Sequence, residues 1–312
     1  MHPPAVFSGN ENEKLCTVDI TSDMVKKKLL ELKPTSAPGP DGIHPRVLKE
    51  CASELSLPLS LVFQMSLSAG ELPVEWKRSN ITPIYKKGKR NMAENYRPIN
   101  LVSVVCKIME SILKDNIMHH LTSNNLITRS QHGFMPGRSC TSNLLEYLNH
   151  VTKAIDQGLS YDVIMLDYKR AFDLVPFRHM LAKVSSHGIS GEILNWIGNW
   201  TTDRVQRCVL NGTHSTWKDV TSSVVQGSVL GPVLFTIFMN DLDLAIDPRH
   251  NILISKFADD SKLGKAISNH DDCLKLQKAT NDLVQWSKDC GMQLHPDKCV
   301  VLHFGVNNPN HE

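Results

Sequence analysis

Two short apolar runs in this chain end in carboxylates, and that pattern restricts its fold more than any other. Tyr161-Asp162-Val163-Ile164-Met165-Leu166 is β-prone and runs into Asp167. Ile252, Leu253 and Ile254 lead to Phe257-Ala258-Asp259-Asp260, and a second apolar set, Leu263, Ala266 and Ile267, follows. A buried strand that ends on an acid places that acid at the rim of a sheet, where its neighbours hold it rigidly. The second pattern reads as strand, turn, strand with both acids at the turn. Adjacent Asp residues repel each other, so a tight turn carrying two of them is unfavourable unless a divalent cation neutralises them. The dipeptide alone is weak evidence, because solvated turns and helix caps also use it, and Asp271-Asp272 is read in that way.

Composition decides less. A chain of 312 residues buries a substantial core and makes one large domain or two smaller ones. Its 41% hydrophobic and 21% charged fractions are those of a globular protein, which excludes a disordered tail. Net charge is only +2, so any polyanionic partner has to be argued from local clusters. Lys77, Arg78, Lys86, Lys87, Lys89 and Arg90 form one such cluster, whereas Lys26-Lys27-Lys28 reads as the solvated face of a helix. No window reaches the roughly 18 apolar residues of a membrane span, and the N-terminus lacks a signal-peptide pattern. An intracellular protein without a membrane partner is expected. The eight cysteines contain no C-x-x-C pair and suit a reducing compartment. Cys290, His295, Cys299 and His303 could be read as a zinc set, but the better reading makes them part of strands flanking a His-Pro-Asp turn.

The first 20 residues are polar and aperiodic and read as a frayed, disordered lead-in. Thr21 caps an amphipathic helix that Pro34 ends, and a second helical run covers residues 45–69 with Gly70 as its stop. A β-prone run over 81–85 precedes the basic cluster, and a long helix is expected over 99–121. Further helices are expected over 141–158, 177–187 and 192–200. Residues 205–210, the Asn211-Gly212 turn and 215–225 read as a hairpin. Gln226-Gly227-Ser228-Val229-Leu230-Gly231-Pro232 opens an apolar helix reaching residue 246, and residues 272–290 form an amphipathic helix. There are no internal repeats.

Asp167 and the Asp259-Asp260 pair, each at the end of a β-prone run, can meet on neighbouring strands of one sheet. Three carboxylates so placed could hold two divalent ions roughly 3.5 to 4 Å apart, the arrangement that transfers a nucleotidyl group to a 3′-hydroxyl. Around them stand ordered blocks: Ser36-Ala37-Pro38-Gly39-Pro40-Asp41-Gly42, Thr82-Pro83-Ile84-Tyr85-Lys86-Lys87-Gly88, Asn95-Tyr96-Arg97-Pro98-Ile99, Gln131-His132-Gly133-Phe134, Leu166-Asp167 with Ala171-Phe172-Asp173, the Gln226 block and Phe257-Ala258-Asp259-Asp260. In this order they resemble the reverse transcriptase domain of non-LTR, LINE-type retrotransposons, most closely the jockey and chicken-repeat group, over residues 21–305.

The resemblance implies roles. Asp167 and Asp259 look like direct metal ligands, with Asp260 supporting them. Phe172 resembles the steric gate that excludes a ribose 2′-hydroxyl, with plain core as the alternative. Arg97 resembles the arginine that grips the incoming triphosphate, a task suited to its planar fork. Lys86 and Lys87 would serve the same triphosphate or the template backbone, or simply form a solvated loop. Gln226 and Gly227 resemble the segment lining the base pair and primer end, and Lys298 the lysine that protonates pyrophosphate, against an isolated surface lysine. Asn100 departs from the usual Ser, and Lys169-Arg170 from the usual Ser-Lys.

The expected fold is therefore α+β, a right-hand polymerase with an antiparallel palm sheet backed by helices and most of its thumb missing. Fingers over 21–160 would interleave with a palm centred on 161–305, with a truncated tail over 306–312 and the family's domain as a whole over about 67–312. The implied function is RNA-directed DNA synthesis with two Mg²⁺ ions, Mn²⁺ being a possible substitute. Its partners would be an RNA template, a DNA primer and deoxynucleoside triphosphates, in the nucleus. An upstream endonuclease and a downstream thumb, expected in the full element, lie outside these residues. Two alternatives stay open: an inactive remnant that only binds nucleic acid, and an RNA-dependent RNA polymerase.

Overall fold

The computed structural model describes residues 7–310. α1 (Ser22–Leu30) starts where Thr21 Oγ1 accepts the Met24 N–H at 3.3 Å, which satisfies one of the free donors of a helix start. The helical run expected over 45–69 is two helices, α2 (Pro45–Glu50) and α3 (Ala52–Ala69), separated at Cys51, where ψ reaches 27°. Gly70 closes α3 in the left-handed region at φ 66°, which glycine adopts without penalty.

β1 (Arg78–Tyr85) and β2 (Tyr96–Val102) form an antiparallel pair. The long helix expected from residue 99 therefore starts later, as α4 (Val104–Ser123), because Ile99 and Val102 pair with Thr82 and Ser79. The apolar run fits either period, and the partner strand decides. Next come α5 (Cys140–Asp156), β3 (Ser160–Leu166), α6 (Phe177–Ser186), α7 (Gly191–Thr201) and β4 (Val205–Leu210).

The hairpin expected to run to residue 225 is reduced to β5 (Thr213–His214) and β6 (Lys218–Asp219), both on β4. The helix expected over 226–246 is also shorter. Ser228 Oγ accepts the Gly231 N–H at 3.1 Å and caps α8 (Gly231–Phe238), after which Asn240–Ala245 continues as a tighter 3-10 turn. β7 (Leu253–Phe257), β8 (Asp260–Ile267), α9 (His270–Asp289) and β9 (Val300–Phe304) complete the chain.

These elements fall into two compact units, and the units interleave in sequence. One comprises residues 7–124 and 184–234. Its sheet has the order β2-β1-β4-β5, with β1 parallel to β4, and α4 supplies a core of Ile108, Met109, Ile112, Leu113 and Ile117. The expected disorder of the lead-in does not extend through residues 7–20: Val18 and Ile20 are buried and Leu15 bridges Ile189, although most of the segment is exposed. Residues 1–6 of that lead-in lie outside the described residues.

The second unit comprises residues 125–183 and the chain from 235 onward. Its antiparallel sheet has the order β7-β8-β3-β9. Tyr147, Val151 and Ala154 of α5 pack with Tyr161 and Val163 of β3. The contacts divide the chain after residues 124, 183 and 234. The class is α+β. No helix among the described residues is long and apolar enough to cross a membrane.

Candidate active site

The acids read from sequence meet at one end of the second sheet. The β3–β8 ladder runs to Leu166 opposite Ser261, so Asp167 and Asp260 follow at adjoining strand ends. Phe257 pairs with Asp260, leaving Ala258-Asp259 as the two-residue connection between β7 and β8. Ala258 adopts φ 58°, a left-handed conformation uncommon for a residue with a Cβ. On the other side of Asp167 the chain from Gln293 to His295 runs alongside: Lys169 N donates to Gln293 O (2.7 Å) and His295 N donates to Asp167 O (2.8 Å).

Charge at this rim is unbalanced toward the negative. Lost hydration and then the neighbouring charge of Asp167 push the Asp260 carboxyl up from its usual value, and Lys262 opposes them. Lys298 sits with Nζ 3.3 Å from Asp167 Oδ1, an exposed pair that contributes little to stability. Lys298, which the resemblance makes a proton donor to pyrophosphate, has the Asp167 carboxylate as its partner here. Among the described residues no three His, Cys, Asp or Glu side chains are gathered closely enough to form a metal cage. The zinc set considered from sequence is engaged elsewhere: His303 Nδ1 lies 2.8 Å from Asp162 Oδ1, and Cys290 Sγ lies 3.3 Å from Lys183 Nζ.

Phe172, half-buried in the turn after β3, stacks on Phe235 of α8 with centroids 4.1 Å apart and planes at 14°. The ring of Phe134 meets it edge-on at 6.2 Å. Stacking fixes the tilt of a ring as well as its depth. Sequence pointed to Phe172 through its offset from Asp167 but gave no sign of Phe235, one apolar residue among many on α8.

Five further candidates belong to the other unit. Arg97, exposed on β2, is paired with Ile84, and Lys86 N donates to Asn95 O at 2.8 Å just beyond β1. The hairpin thus brings Arg97, Lys86 and Lys87 to one end, with all three side chains exposed. Gln226 and Gly227 are held to the same strand: Gln226 O accepts the Asn100 N–H at 3.0 Å. Gly227 has φ 104°, and a Cβ there would stand 2.5 Å from Asn100 O, so both conformation and approach require glycine. Asn100, the departure noted in the sequence, is buried and accepts the Ser79 hydroxyl proton through Oδ1 at 3.1 Å.

The structure thus sets a strand-end pair of acids, a turn acid between β7 and β8 and, five residues after Asp167, a stacked aromatic ring. The family model for reverse transcriptase (RNA-dependent DNA polymerase) matches residues 84–310, and the chain belongs to that family. Among its relatives is the probable RNA-directed DNA polymerase from transposon BS of Drosophila melanogaster, 27% identical over 88% of this chain and 30% of the relative. The RNA-directed DNA polymerase from mobile element jockey, also of Drosophila melanogaster, is 26% identical over 91% of this chain and 32% of the relative. The Pol polyprotein of the type-1 retrotransposable element R2 of Popillia japonica is 25% identical, over 87% and 38% respectively. The chain thus spans about a third of the length of these relatives.

Proposed function

We propose that this chain is the catalytic part of an RNA-directed DNA polymerase of a non-LTR retrotransposon, extending a DNA primer on an RNA template with deoxynucleoside triphosphates. The observation that supports it is the convergence of Asp167, Asp259 and Asp260 on the ends of β3, β7 and β8. In this reading the unit built on β7-β8-β3-β9 is the palm and the unit built on β2-β1-β4 contains the fingers. Three carboxylates are hard oxygen donors, and the strand ends set Asp167 beside Asp260 with Asp259 in the adjoining turn, so the donor set fits Mg²⁺ or Mn²⁺. Asp167 and Asp259 would be the direct ligands of two such ions and Asp260 their support. The ions, when bound, would lower the pKa of the primer 3′-hydroxyl and neutralise charge on the phosphates.

The protein's own residues do the rest. Arg97 clasps the triphosphate with its planar fork, assisted by Lys86 and Lys87. Gln226 and Gly227 present backbone to the base pair. Phe172 closes the space beside the sugar 2′-carbon, and Lys298 hands a proton to the departing pyrophosphate. Primer extension on an RNA template tests the reading. Asp259→Ala should reduce extension by about a thousandfold, and equal extension by variant and wild type would remove the site assignment. Ribonucleotides incorporated as well as deoxynucleotides would make it an RNA polymerase instead, and binding of primer-template without extension in either metal would make it a binding protein.

A further inference from the structure

The connection that carries Asp259 is held by a segment outside the catalytic set. Residues 130–133 run beside β7: Lys256 N donates to Ser130 O and His132 N donates to Lys256 O, each at 2.8 Å. His132 anchors the segment to α5, with Nε2 2.7 Å from Glu146 Oε2 and Nδ1 2.8 Å from Ser142 Oγ. Between those bonds Gln131 turns fully inward. Its Oε1 accepts two backbone N–H groups, from Gly133 at 2.8 Å and from Ala258 at 3.0 Å.

Both partners are donors, so the orientation of the amide is fixed, and Nε2 is left buried without a partner. An unpaired buried N–H is unfavourable, so mere filling of space would favour an apolar side chain here. Gly133 presses on the same peptide. A Cβ on it would stand 2.3 Å from Ala258 N and 3.0 Å from Ala258 Cα, with no unusual φ of its own to demand glycine. Ala258, in turn, is the residue in the left-handed region, directly before Asp259.

We infer that Gln131 is a positioning residue for Asp259, and that Gly133 is glycine so that the turn can seat against it. Gln131 touches neither substrate nor metal; it acts through the Ala258 N–H, which sets the direction in which the next side chain leaves the turn. The inference rests on the polymerase reading above.

Gln131→Met keeps the volume and removes the acceptor, and Gly133→Ala adds the obstructing carbon. Both are measured in the whole chain by amide hydrogen exchange of a peptide containing Ala258, by the Mg²⁺ concentration that half-saturates single-nucleotide addition, and by primer-template affinity. Exchange at Ala258 should quicken about tenfold, as expected for one lost hydrogen bond. The half-saturating Mg²⁺ should rise about tenfold, the usual effect of losing a group that orients a ligand. Protection in β3 and primer-template affinity should not change. Should Gly133→Ala fail to fold, Gln131→Met carries the test alone. Unchanged exchange at Ala258, faster exchange throughout β3 and β8, or wild-type half-saturation in Gln131→Met would each overturn the inference and leave the polymerase reading standing. A wild-type chain that adds no nucleotide at any Mg²⁺ concentration would overturn both.

Discussion

At the scale of single residues, Phe172 is the side chain whose position most directly predicts a phenotype. Its ring lies flat on Phe235, so its depth is set by packing. Phe172→Val should raise ribonucleotide use relative to deoxynucleotide by about ten- to a hundredfold, read by single-nucleotide addition with each substrate. Unaltered discrimination would return Phe172 to the core. Phe235→Ala leaves a cavity and should cost about 3–5 kcal/mol of stability, measured by chemical denaturation. The acids were legible in the sequence because charge at the end of an apolar run is locally conspicuous. Phe235 and Gln131 were not, because what distinguishes each is a partner far away in the chain.

At the scale of elements, two of the corrections share one cause. Residues 99–102 became strand and residues 226–230 became loop because groups elsewhere claimed their backbone, through the β1 ladder in the first case and Glu110 in the second. Glu110 is fully buried on α4. Its Oε2 accepts the Val229 N–H at 2.6 Å and the Leu230 N–H at 3.2 Å, while Oε1 accepts Trp200 Nε1 at 3.0 Å. Local pattern cannot show a carboxylate that terminates a helix from a distance. Glu110→Ala strands the buried Leu230 N–H, the Trp200 indole N–H and the Cys106 thiol together with the half-buried Val229 N–H, and should destabilise the chain by about 3 kcal/mol or more. Glu110→Gln, which still offers an oxygen, should cost less. Denaturation midpoints compare the two, and equal midpoints would mean that the carboxylate is not what holds this loop.

At the scale of the molecule, stability should depend on pH at the alkaline end. Burial raises the Tyr161 phenol, with Tyr147 adding to it, and burial raises Tyr168 despite its hydrogen bond to Ser287. Above about pH 10 the unfolded phenols ionise while the folded ones keep their protons, so the folded state binds more protons and loses stability as pH rises. Lys256 works in the opposite sense: burial lowers its pKa against the pull of Asp243, so its contribution grows as pH rises toward the ordinary lysine value. Lys262 is lowered in the same way, but the raised Tyr147, Tyr161 and Tyr168 phenols and the buried Cys106 and Cys290 thiols outnumber the two lysines, and melting temperature should fall between pH 9 and pH 11, about where phenols ordinarily titrate. Tyr161→Phe should flatten the fall. Local signals placed most strands and helices near their true positions, but nothing local marks which distant segments share a core, and the unit boundaries followed from contacts alone. Because residues 184–234 interrupt the carboxylate-bearing unit and belong to the other, that unit is not one reading-frame segment. A clone beginning at residue 125 would express the acids together with a stretch severed from its own hydrophobic neighbours, so trimming this protein to a minimal catalytic piece requires a designed linker in place of those residues rather than a new start codon.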